Sequence, residues 1–162
     1  MSEFNFKTIY RELPEQMLRK SFIWIWNADK VPPHIGISRG KDYFSLTYRK
    51  SEHLLTASML KKAKRSLIPL VLIEIPESVF VSDLVSVFSK YDRAAGGLTC
   101  LHPIREVMQQ EGVSQLVNLL TYLESEDLIL KVNGLNLPEG YRGIPDYSME
   151  DILKRISQLN EK

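Results

Sequence analysis

The sequence predicts an α+β fold, an antiparallel sheet with helices packed against it. Short β-branched and aromatic runs such as Phe22–Trp26 and Leu70–Ile75 have the length and composition of buried strands. Other stretches repeat apolar residues at helical spacing, as Leu116, Val117, Leu120 and Leu123 do. The two kinds of segment do not alternate strictly, which favours α+β over a parallel α/β sheet. With 162 residues, 44% hydrophobic and 25% charged, the chain is the size of one globular domain over residues 1–162. A domain of that size buries about 68–70% of its unfolded surface.

The elements follow in order. Phe22-Ile23-Trp24-Ile25-Trp26 is the first buried strand, ended by the turn residues Asn27, Asp29 and Lys30. Pro32 and Pro33 lead into His34-Ile35-Gly36-Ile37. Arg39-Gly40-Lys41-Asp42 turns the chain into Tyr43–Tyr48, so 34–48 reads as a hairpin. A helix is expected over 52–65, with Leu54, Leu55, Met59 and Leu60 inward. Lys61, Lys62, Lys64 and Arg65 lie near its end, where cations suit the helix dipole. Leu70–Ile75 is a strand bounded by Pro69 and Pro76. Ser82 is placed to cap a helix over 83–91. The loop Asp92–Gly97 precedes Thr99, read as the N-cap of a helix with Cys100 in its first turn and Gly112 at its end. A further helix runs from Ser114 to about Leu123. Asp127–Val132 reads as a strand, Asn133-Gly134 as a turn, and Ser148–Asp151 as a capping box for a last helix.

Composition excludes several classes. Lys plus Arg number 21 and Asp plus Glu 20, a net charge of +1, so specific nucleic-acid binding is not expected. One cysteine allows no intrachain disulfide and no Cys-rich zinc site. No apolar run approaches the ~18 residues of a membrane span. The N-terminus shows no basic region followed by an apolar stretch, which predicts a cytoplasmic protein. Gly96-Gly97 lacks a following Lys-Ser/Thr, and no histidine pair has metal-ligand spacing, so neither a cofactor nor a metal is expected. Trp24 and Trp26 read as core, and His53 and His102 as solvated or helix-start residues.

The pair with chemical potential is Cys100 and His34. A thiol gains nucleophilicity beside a helix N-terminus or a histidine, and Cys100 sits where a Gly-rich loop becomes a helix. Free backbone N–H groups there favour a thiolate and later an oxyanion, and a Cys100 activated by them and by His34 is expected to have a pKa well below ~8.5. Gly36 is expected to let another backbone pack close to the histidine strand.

His34-Ile35-Gly36-Ile37, the turn at Gly40 and Tyr43-Phe44, followed later by Thr99-Cys100-Leu101, resemble the histidine hairpin and cysteine helix of a known superfamily. It is that of the circularly permuted NlpC-type papain-like proteins, which includes the lecithin:retinol acyltransferase-like enzymes. The resemblance covers roughly residues 21–111, leaving 112–162 as a helical C-terminal extension. It implies a papain-like fold, Cys100 as nucleophile and His34 as base. The family's third polar residue falls to Ser45 or Thr47, and its common Asn-Cys-Glu-His motif is replaced by Thr99-Cys100-Leu101-His102.

Two readings follow. One is a thiol-dependent hydrolase (a cysteine peptidase or amidase) or acyltransferase, acting on an amide or ester through an acyl-enzyme. The other is a non-catalytic module that binds a protein partner, either a papain-like fold without activity or a winged-helix-like C-terminal half. DNA reading by that half is disfavoured, because Ser114–Glu124 carries no Lys or Arg and offers only Gln115 and Asn118.

Overall fold

The computed structural model describes residues 3–145 and 147–160, the last of these by its backbone alone. The chain is α+β, centred on a six-stranded antiparallel sheet. Its strands are β2 (Ser21–Trp26), β3 (His34–Arg39), β4 (Asp42–Leu46), β5 (Ser51–Leu55), β6 (Leu70–Ile75) and β7 (Lys131–Leu135). They lie side by side in the order β5-β4-β3-β2-β6-β7. A separate two-stranded ribbon pairs β1 (Phe4–Asn5) with β8 (Gly143–Ile144).

Strand alternation sorts the side chains into two layers. On one face, Phe22, Trp24, Trp26, Tyr43, Leu70 and Leu72 pack beneath helix α1 (Thr56–Arg65), which contributes Met59 and Ala63. On the other, Ile23, Ile25, Ile35, Ile37, Phe44, Val71 and Ile73 form the larger core. Over it lie α2 (Leu84–Phe88), α3 (Leu101–Met108), α4 (Leu116–Ser125) and α5 (Met149–Asn160). β2 is buried along its whole length because both layers need it, which explains its unbroken apolar sequence.

Several local expectations change. The segment expected to be one helix over 52–65 divides into β5 and α1, because residues 47–50 close a turn: the Thr47 N–H bonds the Lys50 carbonyl at 2.9 Å. The buried Thr56 then fixes the start of α1. Its N–H bonds the Lys41 carbonyl at 2.8 Å and its hydroxyl the Gly40 carbonyl at 2.9 Å. Asn133 and Gly134 lie inside β7 opposite Leu72 and Val71, rather than in a turn. Tertiary pairing has overridden a strong local turn signal there. The part of the chain after residue 112 therefore supplies an edge strand of the main sheet as well as helices. α3 ends at Met108 with Gln109 in the left-handed region (φ 53°), short of Gly112. Asp83, rather than Ser82, caps α2, accepting the Ser86 N–H at 2.9 Å. The expected capping box at α5 is present: the Ser148 N–H reaches Asp151 Oδ2 at 2.8 Å, and the Asp151 N–H reaches Ser148 Oγ at 3.1 Å.

Gly36 has a clear steric role. A Cβ there would overlap the hydroxyl and ring of Tyr43, which is fully buried over the glycine. The close approach at this glycine is made by an aromatic side chain and not, as expected, by another backbone.

Candidate functional site

A cleft of about 350 Å³ opens at the end of the sheet where β2 and β4 finish and β3 and β6 begin. Its walls come from both layers. Trp26, Tyr43, Met59 and Lys62 belong to the α1 side, and Leu101, Leu116, Ile152 and Ile156 to the other. His34, Thr47, Thr99 and Cys100 also line it.

Cys100 is the N-cap of α3 and packs against the larger core. The loop before it is anchored to the sheet, because the Ala94 N–H bonds the Thr47 carbonyl at 2.7 Å. Thr99 is buried and braces the helix start. Its hydroxyl oxygen accepts the Leu101 N–H at 3.3 Å, and its own N–H donates to His102 Nδ1 at 2.9 Å. The N-cap of α3 is thus Cys100 and not Thr99, which instead braces the turn before the helix with His102 as its partner.

Burial, the larger influence, pushes the Cys100 thiol up to about 11. The backbone N–H groups of Ile35 and of Cys100 itself act in the opposite, thiolate-favouring sense. The structure thus reverses the low thiol pKa expected from sequence. Helix-start N–H groups are present, but the dense surroundings outweigh them.

His34 opens β3 directly opposite Trp26, so its side chain leaves the sheet on the α1 side. It keeps some exposed surface, yet its dense surroundings and then the nearby Lys62 cation lower its pKa to about 4. Cys100 approaches the same strand from the other layer, against Ile35, the residue after His34. The two groups line the cleft from opposite faces of the sheet, and no hydrogen bond joins them.

The proposed orienting hydroxyls have other partners. Ser45 Oγ donates to Glu52 Oε1 at 3.2 Å and shares a hydrogen bond with Tyr43, whose oxygen accepts Trp26 Nε1–H at 2.8 Å. Thr47 Oγ1 donates to the Lys50 carbonyl at 3.0 Å. Neither bonds His34. The sequence reading also missed Glu52, Lys62 and Arg155, which line the cleft. Recognising Thr47–Lys50 as a turn would have placed Glu52 on a strand beside Ser45, its register partner.

Among the described residues, no group of three or more His, Cys, Asp or Glu side chains is placed to hold a metal. None of their helices is long and apolar enough to cross a membrane. Neither a known protein family, nor a curated protein, nor a solved structure matches the chain.

Proposed function

We propose that the cleft is the active site of a thiol-dependent hydrolase or acyltransferase, of the papain-like, circularly permuted NlpC type, acting on an amide or ester. One observation carries this reading. Cys100, at a helix start, and His34, at a strand start, line one cavity, with the sulfur held against the residue that follows the histidine.

His34 takes the thiol proton as sulfur attacks the carbonyl carbon, and backbone N–H groups at the α3 start hold the oxyanion. Collapse breaks the bond to the leaving amine or alcohol, which takes the proton from the imidazolium. Attack on the acyl-enzyme by water releases an acid; attack by an amine or alcohol transfers the acyl group. With the thiol near 11 and the imidazole near 4, the resting pair is neutral. Proton transfer therefore accompanies attack on the substrate rather than preceding it.

The test is acylation by p-nitrophenyl acetate, followed by mass spectrometry of the peptides. The expected result is one acetyl group on Cys100 in the folded protein, lost in Cys100→Ala and slowed in His34→Ala. Acetylation confined to surface lysines would overturn the reading. The neutral, unbonded state of His34 and Cys100 favours a second reading, a non-catalytic interaction module, and that outcome would select it.

A further inference from the structure

The cleft has largely apolar walls and an uneven charge at its rim. Lys62, from α1, and Arg155, from α5, reach it from opposite layers of the fold. Both are exposed, and neither takes part in an ion pair among the described residues. The one carboxylate among the described lining residues, Glu52, accepts the hydroxyl of Ser45. His34 adds no charge at neutral pH. The cleft therefore joins apolar surface from Leu46, Met59, Ile68 and Ile152 to two cations at its rim. Its volume of about 350 Å³ limits the occupant to a small molecule.

We propose that the acyl donor is a small amphipathic anion, its apolar part in the cleft and its anionic head group between Lys62 and Arg155. This rests on the thiol reading above and adds the substrate's chemical class to it. A charged head group at the rim keeps most of its hydration, while its apolar part gains from leaving water. An anion beside Lys62 also offsets the repulsion that this cation exerts on a protonated His34, so the substrate itself eases the proton transfer its reaction needs.

The test is calorimetric titration of the full chain with four probes that share one alkyl chain: hexanoate, hexyl phosphate, hexan-1-ol and hexylammonium. At least one anion should bind about tenfold more tightly than hexan-1-ol, with hexylammonium weakest. A preference for hexanoate identifies a carboxylate head group, and a preference for hexyl phosphate identifies a phosphate. Lys62→Met and Arg155→Met should each weaken anion binding about threefold and leave hexan-1-ol unchanged. Equal affinity for the anions and the alcohol, tighter binding of the ammonium, or no binding of any probe overturns the proposal. None of the probes can acylate a thiol. Anion-selective binding in a protein that fails to acetylate Cys100 therefore removes the thiol reading and keeps the anion site, whereas acetylation without anion preference does the reverse.

Discussion

Burial moves His34 and Cys100 in opposite directions on the pH scale, and both moves favour the neutral form. For His34 the native value of about 4 lies below the ordinary 6.5. Between those values the unfolded chain binds more protons, so this residue's contribution to stability is complete above 6.5 and is lost as pH falls through 4. The shift corresponds to at most about 3 kcal/mol. Urea unfolding at pH 7 and pH 4 should therefore show a smaller acid loss in His34→Gln than in wild type; equal losses would refute this account of the histidine. The thiol runs the other way. It stabilises the fold below its ordinary value of 9.0, and that contribution is lost as pH rises through about 11. Gly36 gives a steric prediction at the same scale. Gly36→Ala should cost about 1–3 kcal/mol by overlap with Tyr43, and Tyr43→Phe should recover part of that by removing the hydroxyl. Chemical denaturation of the two single variants and the double variant measures the coupling.

At the scale of elements, the start of α3 and the last helix decide how Cys100 is presented. The Thr99 hydroxyl accepts the Leu101 N–H and hydrogen-bonds His102 Nδ1 before the helix, so Thr99→Ala should lower stability by about 1 kcal/mol in a thermal or urea melt. α5 presents Ile152, Ile156 and Leu159 to the cleft that contains the thiol. Its apolar stripe covers that opening, while Leu153 on another side of the helix stays exposed. Removing residues 149–162 should therefore speed native alkylation of Cys100 by iodoacetamide at a fixed pH, read by mass spectrometry on protein whose circular dichroism shows the sheet intact. An unchanged rate would mean that α5 does not shield the thiol.

At the scale of the whole molecule, β2 and β6 supply side chains to both layers, so the two cores share the same strands. Charge is balanced, with a net value of +1, and the polar residues of α4 serve the fold. Asn118 accepts the Gln115 N–H at 3.1 Å at the start of α4, whose apolar face is buried. Fluorescence anisotropy with labelled duplex or single-stranded oligonucleotides should show no specific complex at physiological salt, because few phosphate contacts are on offer. A complex that persists there would contradict this distribution of charge.

The sequence by itself determined the α+β class and the strands Ser21–Trp26, His34–Arg39, Asp42–Leu46 and Leu70–Ile75, because burial on two faces leaves near-continuous apolar runs. It also determined the capping box of α5, whose bonds are local ones between near neighbours, whereas the N-cap of α3 falls at Cys100, one residue later than expected. Only the tertiary structure decided that Ser51–Leu55 is a strand and that Asn133-Gly134 lies within one, because pairing partners distant in sequence set those conformations. The same holds for the cleft. Cys100 and His34 are legible as residue types at element starts, but the density around them, which keeps both neutral, is built from segments spread between Trp26 and Leu159. A local pattern can mark a helix start that favours a thiolate; it carries no record of how much water the rest of the chain leaves around the sulfur.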